Sequence, residues 1–198
     1  MRLVETTSFR RAKLPHWEVK SGRYFVTLRL ADSLPRETVR RLQEIHRSLA
    51  ATEPQSPAFV ALQRQFFRAM EKYLDAGTGA CRLREPPAAA ILIREFEALA
   101  DWSVAVPHFT IMPNHCHALL APSSACAHSL DEIMKRLKGR TGLQIRAATK
   151  TSGPLWQREW FDRWIRDDHE WEKTVAYIRH NPVKAGLAAT WSNHPWTR

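Results

Sequence analysis

The order of apolar and polar positions divides the chain into alternating strands and helices. The run YFVTLRL (24–30) is aromatic and β-branched and predicts a first strand. After DSLP (32–35) the pattern turns helical, with Pro35 suited to the first helical turn and Leu42, Ile45 and Leu49 on an apolar face. Pro54 and Pro57 interrupt it, and helical character resumes over 59–74. Gly77 to Ala80 reads as a loop, and 86–99 as an alanine-rich helix containing Ile91, Ile93 and Phe96. Two strands, 104–111 and 115–121, are joined by a tight turn at Met112-Pro113-Asn114. Leu130, Ile133, Met134 and Leu137 space a helix to about Arg146, although Gly139 and Gly142 weaken its middle. Gly153-Pro154 breaks the chain. Residues 155–165 favour a strand through their aromatics, and Asp167 or Asp168 caps a helix running to about Asn181. Hairpin-like strand pairs among helices predict an α+β fold with an antiparallel sheet. No internal repeat and no linker divides residues 1–198, so one domain is expected.

Charge narrows the function. Thirty Lys and Arg against 20 Asp and Glu give a formal net charge of +10 over 198 residues, the electrostatic footprint of a nucleic-acid binder. The first 30 residues carry Arg2, Arg10, Arg11, Lys13, Lys20, Arg23 and Arg29 against Glu5 and Glu18, so a basic N-terminal arm over about 1–20 is expected to follow phosphates. A solvated terminus has the same composition. Among eight tryptophans, Trp156, Trp160, Trp164 and Trp171 interleave with Arg158, Arg163, Arg166 and Lys173, a mixture suited to unpaired bases, though most such rings anchor cores. Cys81, Cys116 and Cys126 form no CxxC pair and no even disulfide framework. The first 20 residues are too polar for a signal peptide and no apolar run reaches membrane-spanning length. A cytoplasmic protein with reduced thiols and no membrane partner is expected.

The chemistry concentrates in two segments. In MPNHCHALL (112–120), strand alternation projects His115 and His117 from one face, roughly 7 Å apart along the backbone, while Cys116 points to the other. Two such imidazoles share a metal ion if a third ligand arrives from elsewhere. The segment YIRHNP (177–182) supplies that ligand and a nucleophile. At about 100° per residue, Trp171, Val175 and Ile178 form a core stripe, while Tyr177 shares its side with Glu170, Thr174 and Asn181. Tyr177 and Asn181, four apart, are neighbours on that face. Packed against the histidine strand, they would assemble two imidazoles, an amide oxygen and a phenol: a Lewis-acid site beside a covalent nucleophile for a phosphodiester. Pro182 biases Asn181 away from helical dihedrals and threatens that adjacency. An isolated HxH is weak evidence, since histidines often serve as hydrogen-bonded structural groups. The conjunction carries the reading.

These residues resemble a known family. MPNHCHALL resembles the histidine–hydrophobic–histidine (HUH) strand of the single-tyrosine transposases, and YIRHNPVKAGL (177–187) resembles the nucleophile helix of their REP-associated branch. The likeness extends to LPHWEVKSGRYFVTLRLADSLPRE (14–37), GACRL (79–83) and GPLWQREWFDRWIRDDHEW (153–171). The resemblance implies a ferredoxin-like sandwich with a central antiparallel sheet and helices on one side. It implies that His115, His117 and Asn181 bind Mg²⁺ or Mn²⁺ and that Tyr177 is the nucleophile. It further implies attack on single-stranded DNA beside a hairpin-forming repetitive palindrome, with a 5′-phosphotyrosine link and a free 3′-hydroxyl. Cys116 stands where valine is usual, and Gly139 and Gly142 are expected to loosen a helix near the site.

The sequence therefore predicts a metal-dependent single-stranded DNA endonuclease and strand transferase, acting on hairpin DNA as a monomer or homodimer. Lys135, Lys138, Arg163 and Arg166 are candidate phosphate contacts, although each also fits a solvated charge or an ion-pair partner. Two rivals remain open: a non-cleaving hairpin-binding regulator, and a metal-dependent nuclease that uses water.

Overall fold

The computed structural model describes residues 6–11, 15–19, 21–53 and 56–198. Its elements run β1 (Thr6–Arg11), β2 (Pro15–Val19), β3 (Arg23–Arg29), α1 (Arg36–Ala50), α2 (Pro57–Leu74), α3 (Pro86–Glu97), β4 (Val104–Ile111), β5 (His115–Pro122), α4 (Leu130–Ala148), β6 (Phe161–Ile165) and α5 (Asp168–Lys184). Four strands form an antiparallel sheet in the order β4-β5-β3-β6. β5 thus separates β3 from β4, and β3 separates β5 from β6, two interleaved halves each closed by a helical crossover. This is the expected α+β sandwich.

Period-two alternation gives the sheet two different faces. Tyr24, Val26 and Leu28 on β3 and Cys116, Ala118 and Leu120 on β5 share one core with Leu92 and Phe96 of α3 and Ile133, Met134 and Leu137 of α4. These two helices lie together on one side, as the sandwich requires. The opposite face presents Phe25, Leu119, Phe161 and Ile165, and α1, α2 and α5 bury Leu42, Ile45, Phe66, Met70, Val175 and Ile178 against it. Cys116 faces the first core, away from both histidines, and burial pushes its thiol up to about 12, so it packs as an apolar side chain. The free edge of β4 is covered by the chain's last residues, through Arg198 N to Phe109 O at 3.0 Å and Ile111 N to Trp196 O at 3.0 Å.

Four expectations change. The helix with two mid-positions of glycine is not loosened: α4 is continuous, and its capping box (Ser129 with Glu132) and buried face compensate for the glycines' weak propensity. Gly142 lies beside Trp156, whose indole N–H donates to Thr141 Oγ1 at 2.8 Å and ties the following segment to α4. The strand expected over 155–165 forms only at Phe161–Ile165. Its earlier part is held by Trp156 and Trp160 rings in the core and by Gln157 N donating to Arg29 O, not by a ladder. α5 runs through Pro182 to Lys184, because Ile178, Asn181 and Pro182 are all buried there and packing outweighs the missing N–H. Within the expected basic arm, β1 and β2 pair as an antiparallel hairpin. Residues 1–5, 12–14 and 20 of that arm lie outside the described residues.

Leu137, fully buried between α4 and the sheet, should cost about 2–5 kcal/mol when cut to alanine. Leu143, 66% exposed on the same helix, should change stability by no more than about 0.5 kcal/mol. Urea denaturation of both variants measures the contrast.

Candidate active site

The site grows out of the register between β3 and β5. Thr27 pairs with His117 and Arg29 with His115, so both imidazoles stand on the face that α2 and α5 cover, and both are fully buried. Their Nε2 atoms face each other at 3.1 Å. Each Nδ1 is engaged from behind, His117 by Thr27 Oγ1 at 2.8 Å and His115 by Asn114 Oδ1 at 2.7 Å. The Asn114 amide is itself oriented, since its Nδ2 donates to Thr78 O at 3.0 Å. Its oxygen must therefore accept from His115, which places the proton on Nδ1 and leaves the Nε2 lone pair directed into the site. Burial, with His117 adding to it, lowers His115 to about 3, so this imidazole is neutral at neutral pH.

Thr78 is fixed by the loop that follows α2. Its hydroxyl donates to Ser33 O at 2.5 Å, and the next residue, Gly79, adopts φ +91 beside Asp32. A side chain at Gly79 would meet Asp32 O at 2.7 Å. The glycine thus permits a close approach of two loops that ends, through Thr78 and Asn114, in the tautomer of His115.

Helices α2 and α5 close the site from above. Tyr177 hydroxyl donates to Glu71 Oε2 in a short contact, accepts from Asn181 Nδ2 at 3.0 Å, and lies 3.4 Å from His117 Nε2. Glu71 Oε1 is 3.4 Å from His117 Nε2. Burial works to raise the Glu71 carboxyl, but the charge and hydrogen bond of His117, with His115 and Tyr177 behind them, hold it at about 2. The Tyr177 phenol is pushed well above its ordinary value, first by burial and then by the Glu71 carboxylate, so it rests as a neutral phenol. Phe25 stacks on His117 with centroids 5.3 Å apart, and Phe67 contacts both His117 and Tyr177, which keeps the cluster dry.

The structure brings His115, His117, Tyr177 and Asn181 together. Continuity of the helix through Pro182 preserves the i,i+4 adjacency of Tyr177 and Asn181. Glu71 joins them unannounced. Its signal was a carboxylate set between Phe67 and Leu74 on the apolar stripe of α2, a place where an unpaired charge is too costly to keep. Arg29 is a second unforeseen neighbour. It is in register with His115, its Nη1 is buried with no hydrogen-bond partner among the described residues, and burial lowers it to about 10.

Of the candidate phosphate contacts, Arg163 and Arg166 lie beside Tyr177, lining the same cavity. Arg163 is held by Glu170 at 3.3 Å and by Thr174 at 3.2 Å. Lys135 is tied to Asp131 at 2.6 Å on α4, and Lys138 donates to Arg158 O while its ammonium sits 5.3 Å from the Trp160 ring. Burial lowers Lys138 to about 8. Neither lysine lines that cavity.

The donor set fits a divalent cation. Glu71, His115 and His117 each offer a ligand atom within 4.8 Å of one another, and all three are buried. Asn181 Oδ1 is a buried acceptor without a hydrogen-bond partner among the described residues, and Glu71 Oε1 has His117 Nε2 at 3.4 Å beside it. Two imidazoles, a carboxylate and an orphaned amide oxygen in a buried cluster form a donor set suited to positive charge.

Residues 92–181, a little under half of the chain, match the family described as "Transposase IS200 like". The matched stretch begins in α3 and includes His115, His117, Tyr177 and Asn181, and the resemblance to the single-tyrosine transposases stands: this stretch is similar to the IS200-like transposases. Among solved structures it is similar to a REP-associated tyrosine transposase bound to a REP hairpin, with a TM-score of 0.52, 17% identity, and 96% of this chain and 81% of that one covered. That likeness is one of fold. A putative transposase from Deinococcus radiodurans R1 is also matched, at a TM-score of 0.34 and 14% identity over 79% of this chain and 87% of that one. No curated protein matches the chain.

Replacing Gly79 with alanine should cost about 1–3 kcal/mol, because a β-carbon is strained at this φ and collides with Asp32. Urea denaturation checks the loss, and the His115 ring resonances in an NMR spectrum should shift with it.

Proposed function

We propose that this protein is a metal-dependent single-stranded DNA endonuclease and strand transferase, with the whole of 1–198 as one DNA-processing domain. Its nucleophile is Tyr177. The observation that carries this reading is the convergence of the Tyr177 hydroxyl on His117 Nε2, Glu71 and Asn181 inside one buried cluster. The fold shared with a transposase solved on a REP hairpin supports hairpin DNA with an unpaired flank as the substrate. The net charge of +10 supports it as well. No described helix is long and apolar enough to cross a membrane. A cytoplasmic site of action accords with the reading.

His115, His117 and Asn181, with Glu71 beside them, would hold Mg²⁺ or Mn²⁺. When bound, such a cation neutralises charge on the scissile phosphate and makes a phenolate less costly. The chain's own residues do the rest. Thr27 and Asn114 fix the two rings, so their lone pairs need no rearrangement. Phe25 and Phe67 exclude water from the phenol. Asn181 Nδ2 holds the hydroxyl from one side, and Glu71 Oε2 holds its proton on the other. Tyr177 Oη forms a bond to phosphorus as the bond from phosphorus to the 3′-oxygen breaks. The phenolic proton leaves toward Glu71, and the departing 3′-oxygen takes a proton from solvent. The 5′-phosphate stays on Tyr177, and attack by a 3′-hydroxyl reverses the step.

Mixing the protein with a labelled library of single-stranded hairpin DNAs and Mn²⁺ should give an SDS-resistant protein–DNA adduct, absent from Tyr177→Phe and from samples without metal. Cutting retained by Tyr177→Phe would replace this reading with the water-using nuclease. Binding without any cutting would replace it with the regulatory module. Independently, Thr27→Val, which removes only the hydroxyl behind His117, should weaken Mn²⁺ binding by about 10–100-fold in a titration followed by electron paramagnetic resonance.

A further inference from the structure

Beside Tyr177 lies a cavity of about 240 Å³ between α2, β6 and α5 that the chemistry above leaves unused. Its walls are rings: Phe25, Phe67, Phe161 and Tyr177. Phe67 and Phe161 sit with centroids 4.9 Å apart, and Phe25 meets Tyr177 edge-on at 5.8 Å. Phe25 and Phe161 are buried, whereas Phe67 and Tyr177 are only partly covered.

Around the rings stand Arg64 and Arg68 on α2, Arg163 and Arg166 at β6, and Lys173 on α5. Glu170 is the one acidic side chain lining the cavity, and it is already occupied by the Arg163 guanidinium and the Arg166 backbone N–H. Among the described residues, no ion pair engages Arg64, Arg68 or Lys173, although α2 and α5 carry acidic residues. An apolar slot lined by aromatic rings and ringed by cations, of which Arg163 alone is paired with a carboxylate among the described residues, is complementary to a flat body with an anionic edge. A nucleotide has that shape and charge. A base still paired in a duplex cannot enter, because its face is covered by its stacking neighbours.

We propose that this cavity receives one unpaired nucleobase flanking the scissile phosphate, stacked on Phe67, with its backbone held by Arg64 and Arg68. The identity of that phosphate rests on the reading of Tyr177 as nucleophile; the capture of the base does not. With its base seated here, the strand runs past Tyr177, which lines the same cavity. The cavity therefore positions the strand as well as binding it.

The test uses the full chain in EDTA, so that no cutting intervenes, with an oligothymidylate single strand carrying one 2-aminopurine at successive positions. Binding is followed by anisotropy and stacking by 2-aminopurine emission. The wild-type protein should bind the single strand and quench at least one position, and leave the same DNA unquenched as a duplex. Phe67→Leu, which keeps an apolar side chain, should lose the quenching while retaining most of the affinity. Arg64→Glu with Arg68→Glu should weaken binding at least about tenfold. The same double charge reversal at the exposed Arg36 and Arg40 of α1 should cost under about threefold. Emission unchanged at every position overturns the proposal, as does an equal loss from the two charge reversals. Quenching that survives when no covalent adduct forms with Mn²⁺ would sink the tyrosine mechanism and leave the cavity standing. An adduct that forms without any quenching would do the reverse.

Discussion

Two imidazole nitrogens held 3.1 Å apart in a protein core need a positive centre, a proton or a cation, between or beside them. The rest of the architecture is arranged around that constraint. The strand register sets the two imidazoles side by side, and Thr27 and Asn114 hold their outer nitrogens. Glu71 brings the negative charge that makes a cation welcome. Replacing these groups with apolar ones would give a better-packed sheet, so the cluster costs stability that the two surrounding cores must offset.

Glu71 also meets His117 and the Tyr177 phenol, and burial with this carboxylate keeps the phenol protonated. The same carboxylate that would share a cation thus also restrains the tyrosine. The two roles compete for one side chain.

Strand periodicity made much of this readable in the one-dimensional chain. His115 and His117 had to share a face, Cys116 had to turn away, and the Tyr177–Asn181 pair followed from helical spacing. What escaped was set by long-range packing. Glu71 belongs to a helix whose sequence distance from His117 gives no hint that they touch, and only its place on an apolar stripe marked it. The continuation of α5 through Pro182 was misjudged because a local rule about proline was outweighed by burial on both sides of the helix. The tryptophan-rich stretch before β6 looked like a strand because its rings are apolar. They pack into a core, and the backbone beside them makes one isolated bridge, Trp156 with Leu30, in place of a ladder.

Helix α2 contributes to the chemistry through Glu71 and to the flanking cavity through Phe67, Arg68 and Arg64, all within two turns. A helix fixes the angle between such positions at about 100° per residue. Gaining or losing one residue between Phe67 and Glu71 would swing the ring and the carboxylate out of step, and no repacking of neighbours would restore both. Substitutions along α2 leave this phase intact, whereas length changes within it do not. Descendants of this chain are therefore free to exchange the side chains that line the cavity, while the length of α2 stays locked.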